Sequence, residues 1–156
     1  MLTIRKFKSG EQSALRAIFF NTIRNVNTRD YSEEQVKAWA PKDYDQQAWS
    51  ARISNINPFV ALLDGDIVGY ADVQEDGYID HFFCHMNHQG KGIGKMLMNR
   101  LFHEGKINNI NRLYTHASIT AKPFFEHFGF NEVKPQQVSI RGQILTNYVM
   151  EKLSTK

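Results

Sequence analysis

The chain of 156 residues is 42% hydrophobic and 22% charged, which is typical of a globular protein, and we expect residues 1–156 to form a single domain. Its one cysteine excludes a disulfide-bonded scaffold. No apolar run approaches the ~18 residues of a membrane helix, so we expect no membrane partner and a cytoplasmic location. The net charge of +3 is spread along the chain without a basic arm or tail, which predicts no nucleic-acid partner.

The first third of the chain is predicted to hold one strand and three helices. Ser9 followed by Gln12 is a capping-box pattern, and apolar residues at helical spacing come after it. Ser32 and Gln35 repeat the pattern before a second helix, which ends before Pro41. The predicted elements are a strand over 2–7 and helices over 9–27, about 32–40 and 46–55.

The remainder of the chain begins with a pattern of strands. The dipeptides Asp64-Gly65 and Asp76-Gly77 are turn signals between three apolar runs, which predicts an antiparallel meander. Further on, Gly129 is placed to end a short helix. The predicted strands are 59–63, 67–74, 78–84, 112–117, 131–140 and 144–153, with helices from a glycine-rich segment to about 106 and over 122–128. This order indicates an α+β fold around a mixed sheet.

The glycine-rich segment from Gln89 to Lys95 reads Q-G-K-G-I-G-K and lies between a predicted strand and a predicted helix. Backbone N–H groups at a helix start bind phosphate, glycines let a ligand approach the main chain, and Lys91 and Lys95 add positive charge. Three alternating glycines therefore favour a phosphate site over a plain tight turn. Neither the P-loop pattern nor the G-x-G-x-x-G dinucleotide pattern fits this segment.

Two patterns in the chain resemble the signatures of the GNAT N-acetyltransferase superfamily. Gln89, Gly92 and Gly94 match its Q-x-x-G-x-G acetyl-CoA pyrophosphate loop. A small polar residue, an alanine, an aromatic pair and Gly-Phe then follow in the family's order, as Ser118, Ala121, Phe124-Phe125 and Gly129-Phe130. The resemblance extends from Leu2 to Leu153 and implies the GNAT fold, with a mixed, mostly antiparallel sheet of about seven strands flanked by helices.

The resemblance also implies acetyl-CoA as the cosubstrate and gives roles to individual residues. The strand from Phe82 through Phe83 to Cys84 would bond the pantetheine arm and polarise the thioester carbonyl through its backbone. Ser118 would contact the pantetheine, and Phe124 would pack beside it. The residues implied to hold the pyrophosphate are Gln89, Gly90, Lys91, Gly92, Ile93, Gly94 and Lys95.

We therefore expect an N-acetyltransferase that transfers acetyl directly to the primary amine of a small molecule. A protein lysine or N-terminus as the acceptor, and a CoA-binding module without catalysis, remain as alternatives. A homodimer is compatible with the sequence. The acceptor pocket would be built from about residues 21–54, where Trp39 and Trp49 either line it or pack in the core.

Amine acetylation requires loss of the ammonium proton, which a side chain on the strand before the glycine loop often accepts. Asp80 and His81 are adjacent on that strand, so they are expected to face opposite sides of the sheet, with only one of them in the active site. A carboxylate between apolar neighbours is costly without a task. This favours Asp80 as the base or as the anchor of the substrate ammonium, with His81 as the second candidate.

The family's usual general acid is a tyrosine as the second residue of the aromatic pair, where this chain has Phe125. Tyr148 on the last predicted strand is the candidate catalytic substitute, with Tyr114, Ser118 and His116 as further donors. A thiol with a pKa near ~8.5 also leaves as a thiolate without full protonation.

His81, His85 and His88 are spaced so that a metal site has to be considered. A strand end followed by a loop does not bring three such side chains together, so we expect no metal. Cys84 shows no histidine-paired pattern and is predicted to be a small strand residue.

Overall fold

The computed structural model describes residues 1–154, which form five α-helices and eight strands. The helices are α1 (Gln12–Asn25), α2 (Glu33–Trp39), α3 (Gln46–Ile56), α4 (Ile93–Ile107) and α5 (Lys122–His127). The strands are β1 (Leu2–Lys6), β2 (Phe59–Leu63), β3 (Asp66–Ala71), β4 (Tyr78–Ile79), β5 (Phe82–Cys84), β6 (Arg112–Ser118), β7 (Asn131–Ile140) and β8 (Gln143–Leu153). Within this described range, no helix has the length and apolar character needed to cross a membrane.

The strands form two four-stranded sheets, in the orders β1-β2-β3-β5 and β4-β6-β8-β7. Neighbouring strands are antiparallel except β4 and β6, which run parallel, so the predicted mixed and mostly antiparallel arrangement is confirmed. There is one strand more than the predicted seven because the apolar run over residues 78–84 forms two strands instead of one.

The break in this run lies at Asp80 and His81 and is made by a side chain. The carboxylate of Asp72 accepts the backbone N–H groups of Asp80 and His81 at 3.0 and 2.6 Å. Those amides are therefore not available to a neighbouring strand, and β4 pairs with β6 whereas β5 pairs with β3. The two sheets diverge from this point and leave an opening between β5 and the end of β6.

Two helix starts test the predicted capping boxes. At α2, the Ser32 side chain accepts the N–H of Gln35 and the Gln35 side chain accepts the N–H of Ser32, which confirms the box. At α1 the prediction is wrong: the helix does not begin at Ser9, and its N-cap residue, Glu11, makes no side-chain cap. The Glu11 carboxylate is held by Arg5 on β1 instead, at 2.8 Å, so it joins the strand to the helix start.

Buried apolar side chains form two clusters on opposite faces of the first sheet. Helix α4 packs on one cluster through Leu97 and Leu101, and α1 and α3 pack on the other through Leu15 and Ile53. Alternate residues of β2 enter different clusters, as side chains on the two faces of a strand should. Helices α1 to α3 are thereby held over the face at which the two sheets diverge.

The turn before β4 sets the position of the divergence, and it requires a glycine. Gly77 has a φ of +93°, and a Cβ there would overlap the carbonyl oxygen of Arg112 in β6. Gly65, in the turn between β2 and β3, has nearly the same φ of +91° but open space around it. Both glycines therefore adopt a left-handed backbone, but only Gly77 is packed closely against another strand.

Replacement of each glycine by alanine should separate these two effects. We expect Gly65→Ala to lower the free energy of unfolding by about 1–2 kcal/mol, the cost of a left-handed backbone for a residue with a Cβ. Gly77→Ala should lower it by about 1–3 kcal/mol more, because the Cβ must displace backbone. Urea denaturation of the two variants and the wild type measures the difference. Equal losses would contradict a close contact between the turn and β6.

Candidate functional site

Two cavities meet where the sheets diverge. The wide cavity, of about 450 Å³, is enclosed by helices α1 to α3, the break between β4 and β5, β6 and the β7–β8 hairpin. The narrow cavity, of about 150 Å³, lies between the end of α1, β5 and α5. The residues that line both cavities are Phe82, Phe83, Ser118, Ala121 and Phe125. We call this shared region the junction.

Asp80 and His81 both line the wide cavity. The prediction that only one of them would enter the site is wrong. It assumed one continuous strand, in which neighbouring side chains alternate between faces. Because β4 ends at Ile79 and β5 begins at Phe82, the alternation is interrupted at these two residues.

His81 is buried and neutral. Its Nδ1 lies 2.9 Å from the hydroxyl of Tyr70, which is itself fully buried, and its ring packs against those of Phe19 and Trp49. Burial lowers the pKa of His81 to about 4, because the charged imidazolium is poorly solvated there. The Tyr70 hydroxyl fixes the position of Nδ1, and the imidazole lines the wide cavity.

Asp80 is paired with an arginine that sequence reasoning missed. Its Oδ2 accepts a hydrogen bond from Arg52 Nη2 at 2.6 Å, and the side chain retains 17% exposure. Arg52 lies on α3, one turn before the helix ends, and belongs to a different part of the sequence. Local patterns carry no signal for a pair separated by 28 positions.

Asp72 is a second residue that sequence reasoning missed. It is fully buried, and besides the two backbone amides it accepts a hydrogen bond from Gln74 Nε2 at 2.5 Å. Burial raises the pKa of Asp72 to about 6, although these hydrogen bonds oppose the shift. The signal in the sequence was an acid directly after the apolar run of β3.

The start of α4 has the properties of an anion site. Gly92, the residue before the helix, has a φ of +81° and no side chain to cap the first amides. The first N–H groups of a helix lack intrahelical partners and carry partial positive charge. Ile93 is buried, so only its backbone can contact a ligand, whereas Lys91 and Lys95 are exposed beside it.

Three other residues predicted to bind the cofactor have packing or hydrogen-bonding roles in this structure. The Gln89 side chain donates to the carbonyl oxygen of Cys84 at 2.8 Å and closes the loop onto β5. A Cβ on Gly94 would lie 2.8 Å from the ring of Phe124, so this glycine allows Phe124 to pack against α4. Ser118 accepts the backbone N–H of Ala121 at 3.0 Å and lines both cavities.

The candidate acids are separated by the structure. The linings of the two cavities, as far as residues 1–154 show them, do not include Tyr148 or Tyr114. The ring centre of Tyr148 lies 4.6 Å from Lys122 Nζ, and the Tyr114 hydroxyl donates a hydrogen bond to Asp76 at 2.6 Å. Ser118 and His116 do line the wide cavity. Tyr148 packs against the start of α5 and the core cluster that contains Phe125, outside both cavity linings.

The remaining candidates fall into two groups. His85 and His88 have ring centroids 5.1 Å apart, and across residues 1–154 no group of three or more metal-binding side chains converges. Cys84 is a half-buried strand residue, and burial raises the pKa of its thiol to about 12. Trp39 and Trp49 line the wide cavity while also packing in the core.

Comparison with known proteins agrees with this geometry. The profile of the acetyltransferase (GNAT) domain family matches residues 27–152. The uncharacterized N-acetyltransferase YafP of Escherichia coli (strain K12) is similar throughout, with 34% identity over 149 residues, 96% of this chain and 94% of that protein.

Two solved structures share the fold. A GCN5-related N-acetyltransferase from Rhodopseudomonas palustris superimposes with a TM-score of 0.93 at 30% identity, over 97% of this chain and 95% of that one. YncA from Salmonella typhimurium, an acetyltransferase solved with its cofactor acetyl-CoA, gives a TM-score of 0.72 at 17% identity, over 100% and 95% of the two chains. The fold implied by the two sequence patterns is confirmed.

The buried carboxyl of Asp72 should give the stability of the protein a measurable pH dependence. The folded chain keeps the Asp72 proton up to about pH 6, whereas the unfolded chain releases it near 3.8. The contribution of protonated Asp72 is therefore lost as the pH rises through this interval. Asp72→Asn does not titrate, so its free energy of unfolding relative to wild type should rise by up to about 3 kcal/mol from pH 4 to 6.

Asp76→Asn is the control, because hydrogen bonding from Tyr114 lowers the pKa of that exposed carboxyl and its effect should have the opposite sign. Denaturant titrations at intervals of pH measure both differences. Parallel profiles for wild type and Asp72→Asn would contradict a protonated, buried Asp72.

Proposed function

The chain belongs to the GNAT acetyltransferase family, and we propose that it transfers the acetyl group of acetyl-CoA directly to the primary amine of a small molecule. The observation that carries the proposal is the junction, where the narrow cavity between α1, β5 and α5 meets a wide, aromatic-lined cavity. The first suits a pantetheine arm and the second an acceptor. The cofactor in the fold neighbour YncA supports acetyl-CoA as the cosubstrate.

The cofactor would lie along the open edge of β5. The carbonyl of His81 and the N–H of His85 both bond to the strand or loop on the β3 side. Backbone groups alternate along a strand, so those of Phe82 and Cys84 point to the opening. Thr22 Oγ1 donates to the Cys84 carbonyl at 2.9 Å, which leaves the Phe82 and Cys84 N–H groups to bond the pantetheine and the thioester carbonyl.

The pyrophosphate would lie at the start of α4. The amides of Ile93, Gly94 and Lys95 are the first of the helix and have no intrahelical acceptors. Lys91 and Lys95 are exposed and add charge without a built pocket. We therefore expect the affinity for CoA to exceed that for dephospho-CoA only modestly, since exposed charges contribute little in water.

In the reaction, the amine nitrogen attacks the thioester carbonyl, a C–N bond forms and the C–S bond breaks. Asp80 is placed to accept the ammonium proton, directly or through a water, because its carboxylate lines the wide cavity near the junction. His81, oriented by Tyr70, is the second candidate base. Backbone N–H groups of β5 stabilise the oxyanion.

The leaving group requires no tyrosine in this proposal. Phe125 is buried at the junction, and Tyr148 packs elsewhere. A thiol with an ordinary pKa of ~8.5 leaves as a thiolate, and the second proton, which the nitrogen of the tetrahedral adduct loses, passes to solvent, from which the thiolate is protonated. Ser118 is the hydroxyl group at the junction and can donate a hydrogen bond to the departing sulfur.

A small acceptor fits the wide cavity better than a protein segment does. A cavity of about 450 Å³ is within the usual range for small-molecule sites. Three helices and a hairpin line its walls, and the ring of Tyr31 is fixed to the β8 backbone through its hydroxyl at 2.6 Å from Thr146 O. A protein acceptor would instead need an open groove.

The proposed activity is tested by incubating the protein with acetyl-CoA and a panel of amines. Free thiol is detected during the incubation, and the products are identified by mass spectrometry. We expect amine-dependent release of CoA together with an N-acetylated small molecule. Acetyl-CoA binding without thiol release for any amine would favour the non-catalytic module. Acetylation of proteins alone would favour the protein-acceptor alternative.

The pyrophosphate site is tested by Gly92→Asp against Gly92→Asn. Asn and Asp both tolerate the left-handed backbone that Gly92 adopts, which the bulkier valine does not, and they differ chiefly in charge. A carboxylate at this helix start should repel the pyrophosphate and weaken acetyl-CoA binding at least about tenfold relative to the Asn variant. Calorimetry measures the affinities, and melting temperatures check the fold. Equal affinities would place the pyrophosphate elsewhere.

The role of Asp80 is tested by Asp80→Asn with Asp76→Asn as the matched control, since Asp76 lies outside the cavity lining. If Asp80 is the base, Asp80→Asn should lower kcat by about 10²–10⁴-fold and leave the affinity for acetyl-CoA nearly unchanged. Higher pH should then restore part of the rate, because free amine forms without help. An anchoring role predicts a higher acceptor KM and no such recovery. Wild-type kinetics in Asp80→Asn would transfer the role to His81 or to a water.

A further inference from the structure

The wide cavity carries an excess of positive charge. Its lining includes the guanidinium groups of Arg16, Arg52 and Arg141, and Asp80 is the one carboxylate among the lining residues within 1–154. Arg52 is paired with Asp80. His81 adds no charge, because burial holds its pKa near about 4. Arg16 and Arg141 therefore have no counterion among the residues that line the cavity, and a neutral ligand would not require them.

Arg16 is the more informative of the two because it is buried. Only 8% of the residue is exposed, and Nη2 donates to the carbonyl of Pro41 at 2.9 Å. Nε is buried without an acceptor among the described residues. Within residues 1–154 no carboxylate lies within salt-bridge distance of Arg16. A buried charge that lacks a counterion is costly unless a ligand supplies one.

Aromatic rings compensate Arg16 only in part. Its Cζ lies 4.1 Å from the ring centre of Tyr44 and about as close to the rings of Phe19 and Trp49, at 5.0 and 4.9 Å. Such contacts favour the cation but accept no hydrogen bonds from its edge. A guanidinium has five N–H donors, and a carboxylate matches two of them at once.

Arg141 lines the same cavity as Arg16. It occupies the β7–β8 turn, and its Nη1 donates to the carbonyl of Ala38 at 2.7 Å. Burial is the main cause of the lowered pKa of Arg16, and the positive charge of Arg141 adds to it. Arg141 is thus held by a backbone carbonyl in the last turn of α2, and Arg16 by one in the segment between α2 and α3.

We propose that the acceptor amine also carries an anionic group, such as the carboxylate of an amino acid, and that Arg16 and Arg141 bind it while the amine faces Asp80 and the junction. The inference rests on the proposed function, because it names the acceptor class for the same site. The aromatic walls formed by Phe19, Trp39 and Trp49 then hold the apolar part of the molecule.

The anionic cofactor does not account for these arginines. Its phosphates belong at the start of α4 beside Lys91 and Lys95, and neither Arg16 nor Arg141 lines the narrow cavity that leads there. Only the uncharged acetyl thioester is expected at the junction. The charge of the wide cavity is therefore directed at the second substrate.

Matched pairs of amines test the proposal. L-Phenylalanine is compared with phenethylamine, β-alanine with ethylamine, and γ-aminobutyrate with propylamine, so that each pair differs by one carboxylate at a different distance from nitrogen. We expect at least one amino carboxylate to exceed its partner about tenfold or more in kcat/KM, the usual size of a charge-assisted hydrogen bond. If plain amines are acetylated equally well or better in all pairs, this inference fails while the proposed function stands. If no amine is acetylated, the proposed function itself fails.

The variants Arg16→Gln and Arg141→Gln identify the binding groups. Each should raise KM for the favoured amino carboxylate about 10–100-fold and leave KM for its uncharged partner within about threefold. Arg24→Gln is the control, because Arg24 also donates to a carbonyl of this segment, Ala40 at 3.0 Å, and packs on a ring, but lines neither cavity. Arg141 is exposed, so its variant keeps the test valid if Arg16→Gln does not fold. An equal loss of kcat with charged and uncharged amines would overturn the assignment.

Discussion

The site depends on one interaction, between the buried carboxylate of Asp72 and the backbone N–H groups of Asp80 and His81. Buried amides require an acceptor, which a neighbouring strand normally provides. Here a side chain at the end of β3 provides it, so the chain can leave one sheet and enter the other without unsatisfied groups. The sheets diverge, the edge of β5 is exposed, and both cavities result. The desolvation of Asp72 is the cost, and the three hydrogen bonds that it accepts offset part of it.

Apart from the capping box at Ser9, features of the fold that depend on neighbouring residues could be predicted from the sequence, and those that depend on distant partners could not. The turn at Asp64-Gly65 and the capping box at Ser32 are determined within a few positions, and the structure confirms both. The break in the run over 78–84 is not, because the acceptor that causes it lies on another strand. Periodicity alone reports an unbroken strand there, since both halves are apolar.

The glycine motif illustrates the same limit within the site. Gly92 serves the backbone, Gly94 makes room for Phe124, and the Gln89 side chain holds a carbonyl of β5. None of these side-chain roles is contact with phosphate. The amides proposed to bind it carry no residue-specific signal, so the motif would indicate an anion site only through the geometry that it imposes on the helix start.

The charges of the wide cavity connect acceptor recognition with chemistry. The unpaired charges of Arg16 and Arg141 disfavour an ammonium in this cavity relative to the free amine, whereas the charge of Arg52 is compensated by Asp80. The same arginines that would attract an anionic group on the acceptor would therefore lower the pKa of its amine and ease the proton transfer to Asp80. Burial would strengthen both effects, since the low dielectric around the buried His81 and Phe19 screens them little. In this proposal one electrostatic arrangement would both select the acceptor and prepare the nucleophile, so the site would need no strongly basic side chain.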